Sequence, residues 1–129
     1  MKSLLLLLSI ISFQAFAQTY PAKPVRIVVP FPPGGQTDIQ ARAIAQKMNQ
    51  ALNVPVIVDN KPGGSSIIGA REVQRAAPDG QVLLYTFAIH LQLPHLYKTA
   101  PWDAFRDFTP ITTGARFVIG PGNVTAEAA

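Results

Sequence analysis

The sequence contains no cysteine. Without thiols, the chain cannot form a disulfide scaffold, a cysteine-ligated zinc or iron–sulfur centre, or a thiol nucleophile. Charged residues are also scarce: Asp, Glu, Lys and Arg make up 14% of the 129 residues and leave a net charge of +4. The basic residues are dispersed, whereas nucleic-acid binding requires a concentrated basic surface with interleaved aromatic residues. We therefore expect no nucleic-acid partner and only a weak general attraction for small anions.

Several motifs that carry chemistry are missing as well. The sequence has neither GxxxxGK[ST] nor GxGxxG, so a nucleotide is not expected. No GxSxG surrounds Ser65 or Ser66, which argues against a serine nucleophile. His90 and His95 lie five residues apart without the acidic neighbours of a metal site. Because no paired acid and base accompany the remaining motifs, we expect no cofactor, no metal ion and no enzymatic activity.

The N-terminus has the three parts of a secretory signal peptide. Lys2 precedes an apolar stretch that includes five consecutive leucines at residues 4–8, and the segment ends in Ala15, Phe16 and Ala17. A basic start, a short apolar run and small residues before the cut are the features that signal peptidase requires. We expect cleavage after Ala17, which leaves residues 18–129 in the periplasm. The alternative is a retained membrane anchor, although such a span needs about 20 apolar residues.

Behind this leader, the pattern predicts an α/β fold that is built on a parallel sheet with flanking helices. β-Branched runs at residues 25–29 and 54–58 predict two strands, and the turn at residues 78–80 leads into a third predicted strand at residues 81–87. Apolar stripes at helical spacing predict helices over residues 37–52 and 67–77, the first with a capping box between Thr37 and Gln40. Strand, glycine loop and helix, repeated twice and returning to a strand, form a βαβαβ unit.

The remaining sequence is less regular. Residues 88–110 form a Pro-rich, aromatic stretch, in which we interpret Trp102 and Phe105 as core or lid packing. Residues 111–119 have the composition of one or two short strands, and the last ten residues show no usable pattern.

Two glycine pairs occupy the positions where a ligand is expected. Gly34 and Gly35 follow the first predicted strand, and Gly63 and Gly64 follow the second. At the carboxyl edge of an open parallel sheet, glycines allow positive φ angles and close approach to a ligand. The unpaired amides of the next helix then offer donors to an anion such as a carboxylate. Each loop taken singly is also explained by turn geometry alone.

Asp38 has two interpretations. A carboxylate in the first turn of a helix is favoured by the helix dipole, so it can serve as a structural cap. It can equally accept a hydrogen bond from a ligand or from an ordered water, while it would repel an anion close by. The sequence leaves both interpretations open.

Four segments resemble, in order and spacing, the Bug-type periplasmic receptors of tripartite tricarboxylate transporters. They are YPAKPVRIVVPFPPGGQTDIQAR, PVIVDNKPGGSSIIGA, APDGQVLLY and LPHLYKTAPWDAFRDFTPI, which extend from about residue 20 to residue 111. The resemblance implies a monomeric periplasmic binding protein of the Venus-flytrap fold. Such a receptor captures a small organic acid and delivers it to a membrane permease.

The resemblance also implies two ligand-binding loops. The residues that correspond to the family's ligand contacts are Pro33, Gly34, Gly35, Thr37 and Asp38 in the first loop, and Gly63, Gly64, Ser65, Ser66 and Ile67 in the second.

Family receptors continue beyond the length of this chain into a second domain. We therefore interpret residues 18–129 as an incomplete N-terminal domain. The alternative hypothesis is a truncated remnant that is marginally stable and binds no ligand of its own.

Overall fold

The computed structural model describes residues 20–97, 101–114, 116–120 and 123–127. The predicted signal peptide lies outside these residues. Among the described residues, no helix combines the length and the apolarity needed to cross a membrane.

A three-stranded parallel sheet forms the centre of the fold. Its strands are β1 (Val25–Val29), β2 (Val56–Asn60) and β3 (Val82–Leu84), in the order β2-β1-β3. The register places Ile27 of β1 opposite Val58 of β2 and Leu83 of β3. A strand with a partner on each side and a helix on each face is mostly apolar, and four of the five residues of β1 are β-branched. The predicted parallel sheet is confirmed.

Three helices connect and cover these strands. They are α1 (Gln36–Leu52), α2 (Ile67–Gln74) and α3 (Ile89–Leu96), and a single 3-10 turn at Gly64–Ser66 leads into α2. α1 links β1 to β2, and α2 links β2 to β3 on the far side of β1. These two connections run in opposite directions along the sheet, so right-handed crossovers place α1 and α2 on opposite faces.

Each face of the sheet has its own hydrophobic core. Ile27 and Val29 pack with Ala41 and Ala45 of α1, and Ile44 and Met48 extend this cluster as predicted from the helical spacing. On the other face, the core contains Ala70 of α2, Leu93 of α3, Trp102, and the partly buried Leu84 and Phe108. β1 thus contributes Ile27 and Val29 to the core beneath α1, whereas Leu84 of β3 belongs to the core beneath α2.

Several predicted boundaries were wrong. β2 begins and ends two residues later than expected and includes Asp59 and Asn60, and α2 ends at Gln74 rather than Ala77. The capping box is absent, because Gly35 is the N-cap of α1 and no side chain caps this helix. Thr37 lies within the helix and is buried. Phe105 is 76% exposed and does not belong to the core, whereas Trp102 does.

The stretch predicted as irregular contains α3. Sequence periodicity missed it because Pro94 lies inside the helix. Proline has no amide hydrogen, so the carbonyl four residues earlier loses its helical donor. That carbonyl belongs to His90, and the Trp102 indole Nε1 donates to it at 3.1 Å. Beyond this region, β4 (Arg116–Gly120) and β5 (Asn123–Glu127) pair antiparallel, and β5 falls where no pattern was found.

His90 is a buried titratable group in the second core. Its ring stacks on Trp102 with centroids 4.9 Å apart and meets the edge of Phe108 at 4.6 Å. Its Nε2 is buried and has no hydrogen-bond partner among the described residues. Burial lowers the pKa of His90 below its ordinary 6.5, because the charged imidazolium would lose its hydration.

The lowered pKa of His90 predicts acid sensitivity. A histidine that is held neutral in the folded state contributes stability above pH 6.5, and this is lost as the pH falls from 6.5 toward the folded pKa. We expect the urea midpoint to fall between about pH 7 and about pH 5, and to fall less in His90→Phe. The exposed His95→Gln is the matched control and should follow the wild type. If the urea midpoints of wild type and His90→Phe fall equally with pH, the acid sensitivity does not arise from His90.

Candidate functional site

The two glycine loops lie at the same edge of the sheet. β1 and β2 are parallel neighbours, so the segments that follow Val29 and Asn60 emerge side by side. A backbone hydrogen bond joins them, since the Lys61 amide donates to the Val29 carbonyl at 2.8 Å. The predicted meeting of the two loops at the carboxyl edge is therefore seen in the structure.

The backbone of these loops departs from the predicted conformation at one glycine. Gly34 has a φ of +84°, but Gly35 has a φ of −77° and an extended conformation that any residue can adopt. The expectation of a positive φ at Gly35 was wrong. Gly63 and Gly64 have φ values of +125° and +55°, as expected.

The second loop continues in the left-handed region beyond its glycines. Ser65 and Ser66 have φ values of 52° and 77°, which residues with a Cβ adopt at a cost of roughly 1–3 kcal/mol each. Four consecutive residues, from Gly63 to Ser66, therefore have positive φ. Such strain persists only where the surrounding structure holds it and is common at ligand sites.

Both loops lead into helix ends that no side chain caps. The N-cap of α1 is Gly35 and that of α2 is Ser66, and neither forms a side-chain capping hydrogen bond. The first-turn amides of a helix lack partners within that helix, so they can donate to an external acceptor. The Ile67 amide of α2 is an exception, because it donates to the Gly64 carbonyl in the 3-10 turn. Each helix dipole adds about 0.3–1 kcal/mol of attraction for an anion.

A buried carboxylate holds the first loop in place. Asp38 is 3% exposed. Its Oδ2 accepts hydrogen bonds from the Gly34 amide at 2.9 Å and from Arg42 Nε at 3.0 Å, and its Oδ1 accepts one from Asn60 Nδ2 at 3.0 Å. Asn60 also donates to the Phe31 carbonyl and accepts from Arg42. We call the set Gly34, Asp38, Arg42 and Asn60 the loop brace, because it ties the first loop to the end of β2.

The pKa of Asp38 reflects this brace. The hydrogen bond from Arg42 and then that from the Gly34 amide lower the pKa from 3.8 to about 2. The carboxylate is thus charged and engaged within the protein, which fits the structural interpretation of Asp38. Direct contact between Asp38 and a ligand stays a prediction.

Sequence reasoning missed two members of the brace. Asn60 is not among the predicted site residues, but it ends β2 and its side chain donates to Asp38 Oδ1. Arg42 is not among the predicted site residues either, although its spacing of four residues from Asp38 is that of a helical ion pair. That spacing was the available indication, whereas the role of Asn60 depends on the pairing of β1 with β2.

The predicted site residues differ in exposure. Three of them, Thr37, Asp38 and Ser66, are buried, and Ile67 is half-buried. The others are exposed on the loops, namely Pro33, Gly34, Gly35, Gly63, Gly64 and Ser65. Their grouping at one edge is compatible with a shared binding surface, which remains a prediction.

The sequence matches one family of receptors. A model described as the tripartite tricarboxylate transporter family receptor matches residues 40–121. A UPF0065 protein of Bordetella pertussis is 41% identical over 102 residues, which are 77% of this chain and 32% of that protein. The chain therefore spans about a third of the length of the curated relatives it matches.

Solved structures have the same fold over this region. The periplasmic binding protein BugD superposes with a TM-score of 0.69 and 41% identity, over 76% of this chain and 32% of that one. An R. palustris protein solved with adipate gives 0.68 and 35%, over 76% and 33%. MatC from Rhodopseudomonas palustris, with bound malate, gives 0.62 and 34%, over 74% and 32%. These matches confirm a partial periplasmic-binding-protein fold.

The loop brace predicts a stability difference that depends on pH. Because folding lowers the pKa of Asp38 from 3.8 to about 2, its contribution is present above pH 3.8 and is lost as the pH falls toward 2. Asp38→Asn should therefore lower the urea midpoint at neutral pH and converge with the wild type in acid. Asp79→Asn, at an exposed aspartate, is the control and should change stability by less than about 0.5 kcal/mol. Equal midpoints for wild type and Asp38→Asn at neutral pH would show that the brace is not stabilising.

Proposed function

The chain belongs to the tripartite tricarboxylate transporter receptor family, and from this membership we propose that it binds a small carboxylate in the periplasm for delivery to a membrane permease. The ligand would be gripped between the two glycine loops that follow β1 and β2. Two of the solved relatives contain bound dicarboxylates, adipate in one and malate in the other, and the proposal extends this ligand class to the chain.

One observation carries the proposal. Two helices whose N-termini no side chain caps begin at the same edge of the sheet, each after a loop with left-handed backbone. A carboxylate has two acceptor oxygens, so it can accept amide hydrogen bonds from both loops at once. A hydrogen bond to a charged group contributes about 1.5–3 kcal/mol.

The same site supports binding without catalysis. Its charged side chain, Asp38, is engaged by Gly34, Arg42 and Asn60. A hydrolytic site would require a nucleophile beside a general base, oriented by a third group. Ser65 and Ser66 have neither histidine nor lysine among their hydrogen-bond partners in the described part of the chain. We therefore propose a receptor and not an enzyme.

Carboxylate binding can be tested by NMR titration of the chain with adipate or malate. We expect the amide resonances of residues 34–38 and 63–67 to shift together, even if affinity is only millimolar, which corresponds to about 4 kcal/mol. Adipamide, which has the same skeleton without the charges, should cause no such shift.

A pair of glycine variants controls for the loop geometry. Gly64→Val places a branched side chain at a φ of +55° and should abolish the shifts. Gly80→Val, which places the same side chain at a φ of +77° in the turn before β3 and away from both loops, should preserve them. Unchanged loop amides at saturating carboxylate, or equal shifts with adipamide, would refute the proposal and favour a remnant without ligand binding.

Export to the periplasm rests on the leader at residues 1–17. The mass of the protein released by osmotic shock from a Gram-negative host should correspond to residues 18–129. Ala17→Arg should block cleavage, since the residue before the cut must be small. Recovery of the uncut wild-type chain in the membrane fraction would instead support the anchor interpretation.

A further inference from the structure

An exposed aliphatic side chain lies against the second glycine loop. Ile68, the second residue of α2, is 55% exposed. A Cβ built on Gly63 would lie 2.6 Å from Ile68 Cδ1, and one built on Gly64 would lie 3.7 Å from Cγ1. The absence of side chains at the two glycines therefore creates the space that Ile68 occupies. Ile68 packs against the loop, and about half of its surface remains exposed to solvent.

The basic residues that adjoin the two loops are already paired. Arg42 donates to Asp38 at 3.0 Å. Lys61 lies 3.5 Å from Asp59 and 3.8 Å from Glu72, and both of these carboxylates also pair with Arg26. The immediate surroundings of the second loop thus combine amide donors and an aliphatic surface with cations that are neutralised by their neighbours.

These observations determine what can follow the gripped carboxylate in a ligand. A hydroxylated carbon placed on Ile68 would lose hydration without gaining a hydrogen-bond partner from that side chain. A methylene group in the same place would remove apolar surface of both the ligand and Ile68 from water. We propose that Ile68 is a specificity-determining residue that selects carboxylates with an apolar carbon next to the bound carboxyl group. This inference rests on the proposed function, because it concerns the same site.

Succinate and tartrate provide a direct test, since they have the same charge and carbon skeleton and differ by two hydroxyl groups. In NMR titrations of the full chain, followed at the amides of residues 63–67, we expect succinate to bind several-fold more tightly than tartrate. Ile68→Val and Ile68→Thr are nearly equal in shape and differ in polarity. The preference for succinate should persist in Ile68→Val and should fall toward unity in Ile68→Thr.

Ile57→Thr is the matched control, because Ile57 is 53% exposed but lies on β2, away from the loop glycines. It should retain the wild-type preference. The specificity role is wrong if the ratio of succinate to tartrate affinity is the same in Ile68→Val and Ile68→Thr. It is also wrong if the wild type does not prefer succinate. Either result would mean that Ile68 does not contact the ligand. If neither acid shifts the loop amides while adipate does, the specificity role alone fails, and if adipate causes no shift either, the proposed function fails with it.

Discussion

The pairing of β1 with a parallel neighbour on each side is the constraint on which the rest of the structure depends. Val25, Val28 and Val29 are fully buried, and β1 contributes Ile27 and Val29 to the core beneath α1. A parallel neighbour requires a crossover connection, so the central position of β1 dictates a helix on each face. It also dictates that the loops after β1 and β2 share one edge. The candidate site is therefore a consequence of strand order before any side chain is considered.

Charge is distributed unevenly around this framework. The loop brace is centred on Asp38 at the start of α1, and its four members come from the first loop, the helix and the neighbouring strand. A second group, made of Arg26, Asp59, Lys61 and Glu72, joins both strands to α2. Exposed ion pairs contribute little stability singly, but shared partners fix the relative positions of the elements they connect. These two groups connect the elements on which the two loops are mounted.

The sequence was sufficient for the parts of the fold that depend on local pattern. The bounds of β1 and nearly those of α1 follow from a β-branched run and an apolar stripe, and the glycine pairs located the candidate site. The family resemblance was confirmed by the comparisons. The sequence alone did not predict the features that depend on contacts between distant residues. The role of Asn60 requires the register of β2, and the left-handed backbone at Ser65 and Ser66 contradicts the preference of serine itself.

The hydrogen bond from Trp102 to the His90 carbonyl makes α3 a helix whose integrity is decided outside its own sequence. Pro94 removes an internal donor, and the replacement comes from a side chain twelve residues away from the carbonyl. An isolated peptide of residues 89–96 would lack that donor and would be too short to form a stable helix in water. The stability of α3 is therefore coupled to the segment that carries Trp102, through this hydrogen bond and through the packing of Leu93 against the indole.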